Sequence, residues 1–191
     1  MKKNLTNSDS RFQQPYRFKC INCGNCCRDP KTIVNLTYSD ILRMHWDLGY
    51  DLDKLMDIIG FYVFEDEITS QQKKQMVIPP IKTERGNAYL GLRKEKNGRC
   101  IFLNNANKCS IYPARPDICR TFPFHFQGTP QEQPQKKMDI QLSLAEKAKD
   151  YCEGFQESYP EIDPEYWLGI GKIAMEDILK EHILVKRWNK A

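Results

Sequence analysis

No stretch of the 191 residues approaches the about 20 consecutive apolar side chains that a membrane-crossing helix needs. The opening Met1-Lys2-Lys3-Asn4-Leu5-Thr6-Asn7 starts with two lysines but lacks the apolar run of a secretion signal, so we expect a cytoplasmic protein without a membrane partner. The formal charge is only +4, with Lys and Arg interleaved among Asp and Glu. A nucleic-acid partner would require a focused basic stripe, and none stands out. There is no repeat of fixed period, which excludes a solenoid. Neither a Ser/His/Asp nor a Cys/His nucleophile arrangement stands out, and there is no Gly-rich strand-to-helix loop of the Rossmann type.

What the chain does have is cysteine, eight residues of it. A chain of this length buries a core without disulfide staples. In a reducing compartment, clustered thiols are metal ligands or catalytic groups rather than disulfides. Four of the eight fall within one octapeptide, Cys20-Ile21-Asn22-Cys23-Gly24-Asn25-Cys26-Cys27. An isolated cysteine is usually a small buried hydrophobe, but one loop cannot bury four of them in that way.

The two-residue gaps from Cys20 to Cys23 to Cys26 let successive turns aim three thiolates at one place. With a remote fourth cysteine, this is the spacing of ferredoxin 4Fe–4S clusters. Zinc sites more often use two separate knuckles. The later Cys100, Cys109, Cys119 and Cys152 form no second knuckle, which favours iron–sulfur while zinc stays open. Adjacent Cys26 and Cys27 are expected to point apart, so that Cys27 bridges or serves a second centre. Eight cysteines fill two four-cysteine centres, with Cys27 joining some of Cys100, Cys109, Cys119 and Cys152. An inert buried thiol is the alternative for Cys152.

The expected fold class is α+β: a small antiparallel sheet with cysteine-bearing metal-binding loops, flanking helices and a long C-terminal helix. We expect a flexible lead-in at 1–14, a cysteine-cluster domain at 15–155 and a helical extension at 156–191. Ile33 to Leu36 reads as a short strand. Thr37, with Asp40 three residues on, reads as a capping box opening a helix that presents Ile41, Met44, His45 and Leu48 and stops at Gly49. Asp51 caps a second helix with Leu55, Ile58 and Ile59 on one face. Residues 68–74 read as a loop. Ala88–Arg93 and Cys100–Leu103 read as two strands joined by a turn at Lys96-Asn97-Gly98. Gly128 to Lys137, rich in Gln and Pro, reads as a linker, and 142–155 as a helix. Asp163 and Pro164 start a long helix through about Lys186, with Trp167, Ile170, Ala174, Ile178 and Ile183 on its apolar face.

Arg99, Arg115 and Arg120 lie close in sequence to candidate ligands. Guanidinium groups there stabilise the negative charge of a thiolate-held centre; the alternative for Arg115 is to anchor the Arg115-Pro116 turn on carbonyls, and for Arg99 surface exposure. His125 is a possible replacement ligand or a packed side chain, and His45 and His182 are weaker candidates still.

Three segments together resemble a known family. They are Phe18-x-Cys20-x-x-Cys23-Gly24-x-Cys26-Cys27, then Gly98-x-Cys100-x-Phe102-Leu103, then Lys108-Cys109-Ser110-Ile111-Tyr112 through Arg115-Pro116, Cys119-Arg120 and Phe122-Pro123-Phe124. This is the YkgJ-type CxxCxxCC family of zinc- or iron-chelating domains, which includes flagellin lysine N-methylases. Cys152-Glu153-Gly154 is similar to the family's closing Cys-x-Gly, and the resemblance covers about residues 18 to 154. It implies that all eight cysteines are ligand candidates and says little about any reaction. The Cys-x3-Cys-x2-Cys spacing of radical enzymes that use S-adenosylmethionine is absent, so methylation is not carried over. We therefore expect one or two iron–sulfur clusters, 4Fe–4S foremost, with zinc or mononuclear or dinuclear iron as alternatives. Such centres would serve electron transfer, redox sensing or cluster handling with a protein or redox partner. The other functional classes are a metal-dependent protein-modifying enzyme and a zinc-stabilised interaction module.

Overall fold

A computed structural model describes residues 15–64, 68–69, 73, 76–128 and 140–191. The lead-in expected at 1–14, most of the 68–74 loop and nearly all of the 128–137 linker lie outside the described residues. The fold is α+β, and the chain divides into two compact units. One comprises Asn22–Arg120 with Ile173–Ala191, the other Met1–Ile21 with Thr121–Lys172.

In the first unit, Thr37 caps helix α1 (Tyr38–Leu48) through the expected capping box: its side chain accepts from the Asp40 amide and Asp40 accepts from the Thr37 amide. Gly49 ends the helix in the left-handed region at φ 66°. Asp51 caps α2 (Leu52–Ile58), again as expected. Ile59, however, is not on that helix. The β-branched and aromatic run Ile59–Val63 forms strand β1, once Gly60 makes further helix unfavourable.

Strands β2 (Ile81–Thr83) and β3 (Gly86–Leu92) form a hairpin, and the antiparallel order is β1-β3-β2. The segment 88–93 is thus largely a strand, but its partners are β1 and β2 rather than 100–103. Around Lys94 and Cys100 the expected hairpin shrinks to one bridge, because the Cys100 amide donates to the Cys27 carbonyl and Leu103 turns back onto Cys100. The expected strand at Ile33–Leu36 is likewise one bridge, Asn35 to Gly91. Leu36, Met44, Leu55, Ile58, Leu92, Cys100, Phe102 and Ile111 make the core, with Cys27 and Cys109 packed against it.

A short helix, α3 (Asp117–Thr121), leads out of this unit. In the other unit β4 (Phe124–Gly128) pairs antiparallel with β5 (Ile140–Leu144). The helix expected over 142–155 is therefore confined to α4 (Glu146–Tyr151). Ile140, Leu142 and Leu144 alternate with polar residues at period two, and they face Gly128, Phe126 and Phe124 across the pair. The core here is aromatic: Phe124 packs on Tyr16, Phe18, Phe155 and Trp167 with ring centroids 4.7 to 6.3 Å apart.

The final helix, α5 (Pro164–Trp188), starts as expected, with Asp163 accepting from the Glu165 and Tyr166 amides; its residues are divided between the two units. Its buried stripe differs from the expected one: Leu168, Ala174, Asp177, Glu181 and Val185 are buried while Ile183 is 54% exposed. Both acids tolerate burial because they have partners. Asp177 pairs with Lys180 at 2.9 Å, and Glu181 accepts from the Tyr38 amide at 2.8 Å at the start of α1.

Candidate metal centre

Six of the cysteines belong to the first unit, and backbone contacts gather them. Gly24 sits at φ 77°, and a side chain there would meet the Asn107 carbonyl at 2.7 Å, so only glycine lets the first block lie against the 104–108 turn. A single 3-10 turn, Asn25–Cys27, follows. The Cys100 amide donates to the Cys27 carbonyl at 2.8 Å. Lys108 Nζ donates to the Asn22 carbonyl at 3.1 Å, and the Cys109 amide to Asn22 Oδ1 at 3.4 Å. Cys119 is carried by α3, whose first residue is held by α1: the Asp117 amide donates to Asp40 Oδ1 at 2.9 Å, and Arg43 donates to Asp117 Oδ1 at 2.8 Å.

The sulfurs of Cys26 and Cys27 stand 3.9 Å apart. The expectation that these neighbours point apart does not hold, because successive residues of a helical turn diverge far less than those of a strand. The Cys27 and Cys100 thiols also influence each other's protonation, so Cys27 interacts with two other thiols. These thiol–thiol interactions, more than any other influence, lower Cys26 and Cys100 to about 7 against the burial that opposes it; Arg115 also favours the Cys26 thiolate, and Lys94 that of Cys100. The same interactions raise Cys27. Burial raises Cys109, and raises Cys119 well above the ordinary thiol range; the Cys26 and Cys100 sulfurs push both further up, and Arg115 offsets part of each rise. Five thiols thus share one electrostatic environment.

Among the described residues no three His, Cys, Asp or Glu side chains form a ready cage for a metal ion. The test of fit is the pairwise spacing: tetrahedral zinc–sulfur bonds of about 2.3 Å set neighbouring thiolates about 3.8 Å apart. The 3.9 Å between Cys26 and Cys27 matches that edge. Thiols held near 7 give up their protons readily, as ligation requires.

Arg115 lies 3.7 Å over the Tyr112 ring and donates to the Tyr112 carbonyl at 2.9 Å, so it anchors its turn while its charge acts on the sulfurs. Arg120 meets the Asp117 carboxylate at 3.5 Å. Arg99 is not simply exposed: it donates to the Leu103 and Asn104 carbonyls and so braces the loop before Cys109. His45 and His182 engage the Tyr50 and Val77 carbonyls, and His125 is exposed on β4. Cys23, half-buried, lies at the head of the Gly24 turn.

Cys20 and Cys152 belong to the other unit. The Lys19 amide donates to the Gly154 carbonyl at 3.0 Å, which sets the stretches bearing these two cysteines side by side. A side chain at Gly154 would strike the Phe18 ring at 2.5 Å. The Phe-x-Cys and Cys-x-Gly ends of the sequence pattern therefore meet, and the glycine is needed for that approach.

Sequence alone marks Asp40 as a cap and does not reveal the Asp40–Arg43–Asp117 network, because nothing local shows that its other oxygen reaches a residue 77 positions away.

A family described as "CxxCxxCC: Putative zinc- or iron-chelating domain" matches residues 19–153. The chain belongs to this family. All eight cysteines lie within the matched residues, and the description names zinc and iron without choosing between them. The chain is also similar to "Uncharacterized protein MJ0661" of Methanocaldococcus jannaschii, at 30% identity over 112 residues. That match covers 58% of this chain and 46% of the relative, so the chain spans about half of the length of the relative it matches. No solved structure matches. Among the described residues, no helix is long and apolar enough to cross a membrane.

Proposed function

We propose that Cys26, Cys27 and Cys100, completed by Cys109 and Cys119, chelate zinc or iron directly through thiolate sulfur. The observation that carries this reading is the position of the Cys27 sulfur, 3.9 Å from that of Cys26, with Cys100 close enough to act on its protonation. Thiolates on one tetrahedral ion, or a thiolate shared by two, stand about this far apart. The ligands of a 4Fe–4S cube each hold a different iron and point away from its corners, which sets them farther apart. The metal would tie together loops that are otherwise joined by single backbone bridges. Arg115 would offset the negative charge of the thiolates.

One observation favours the iron–sulfur reading with its redox or cluster-handling role: the Cys20-x2-Cys23-x2-Cys26 spacing itself. Metal and acid-labile sulfide analysis of protein purified without oxygen or chelator separates the two. One or two ions per chain with no sulfide is the expected result. Iron with matching sulfide would replace it with the cluster reading, and the absence of metal would overturn both.

A further inference from the structure

The first unit also carries an open groove of about 430 Å³, within the size range of small-ligand sites. Its lining includes Gly60, Tyr62, Arg93, Lys94, Glu95 and Lys96, three cations to one acid. The acid faces Arg99 at 3.9 Å, which leaves the groove with an excess of positive charge. Two of the cations are fixed: Arg93 donates to the Asp57 carbonyl at 2.7 Å, and Lys94 to the Asp29 carbonyl at 2.5 Å. Lys96 is exposed, and among the described residues it has no ion pair or hydrogen bond.

The Tyr62 ring lies against Gly60 and Gly91, where a side chain at Gly60 would approach it to 3.0 Å, and its hydroxyl donates to the Leu92 carbonyl at 2.5 Å. The ring is thus a fixed apolar surface beside the cations. Lys94 and Tyr62 also lie within electrostatic reach of Cys100, so the groove adjoins the sulfur group.

We propose that this groove binds a small anionic organic molecule, its phosphate or carboxylate at Lys96 and Arg93 and its planar or apolar body against Tyr62. Charge complementarity selects the head group, and the ring at the glycine-lined surface selects the body. Inorganic anions lack the body and would bind more weakly.

The test is amide chemical-shift titration of the isotope-labelled full chain with phenyl phosphate, benzoate and inorganic phosphate. Saturable shifts confined to Gly60, Tyr62, Lys96 and Gly98 are expected with one or both organic probes. The tighter of the two identifies the head group. Lys96→Glu should weaken binding at least tenfold, while Lys96→Arg retains it. Shifts scattered over the surface, indifference to Lys96→Glu, or inorganic phosphate binding as tightly as both organic probes would overturn the proposal. Metal content measured on the same samples keeps this test separate from the chelation reading, since either can fail alone.

Discussion

The two units solve the problem of holding loops together by different chemistry. In Met1–Ile21 with Thr121–Lys172, a β4–β5 pair and interlocked rings of Tyr16, Phe18, Phe124, Phe155 and Trp167 do it. In Asn22–Arg120 with Ile173–Ala191 the helices and sheet are ordinary, but the segments bearing Cys23 to Cys27, Cys100 and Cys109 meet through single bridges and isolated hydrogen bonds. Ring packing needs no ligand. A loop cluster with five thiols in one electrostatic environment is stabilised by whatever those thiols bind. The difference teaches which part of the molecule should respond to metal.

The sharpest way to break the comparison is Cys27→Ser. It should reduce bound metal to background and lower the unfolding midpoint by at least about 10 °C, since structural thiolate sites contribute many kcal/mol to folding. The nuclear Overhauser contacts of the Trp167 ring with Phe124 should persist at room temperature, and their loss would show that the units do not differ in this way. Phe124→Ala should do the opposite, costing about 3–5 kcal/mol in denaturant unfolding while metal content stays that of the wild type.

Gly24→Ala forces a left-handed backbone on alanine and drives its side chain into the Asn107 carbonyl. A loss of about 1–3 kcal/mol is expected, with faster surrender of metal to a chelator. Thr37→Ala removes one half of the capping box at the start of α1, and should cost about 1 kcal/mol with metal retention unchanged.

The smallest effect concerns Asp40. Burial, aided by Asp117, raises it to about 6, against the Thr37 and Asp117 amides and Arg43 that favour its charge. The folded chain keeps this proton up to about 6, whereas an unfolded one releases it near 3.8. The contribution of Asp40 to stability therefore falls as pH rises between those values and is level above them. Asp40→Asn should reduce that slope in urea unfolding measured across the window, and an unchanged slope would remove Asp40 as its source.

What was legible in the sequence was local. Capping residues at Thr37, Asp51 and Asp163 mark their helices because the hydrogen bonds involved span three residues or fewer. The cysteine pattern announced metal chemistry for the same reason of close spacing. Long-range pairing was not legible. Ile59 reads as part of the second helix, and its pairing with Leu92 decides for a strand. Nor does periodicity reveal that Asp177 and Glu181 are buried on α5, because their burial depends on Lys180 and on an amide at the start of α1. Adjacency in sequence does not reveal that Cys26 and Cys27 stand together, because that depends on the 3-10 turn the chain makes there.

X-ray absorption at the metal edge of the full chain tests direct thiolate chelation most closely, because it counts the neighbours of the metal and their distances. The account predicts a first shell of three to four sulfurs at about 2.3 Å. A shell of nitrogen and oxygen, or one of sulfide with iron neighbours close by, would contradict it.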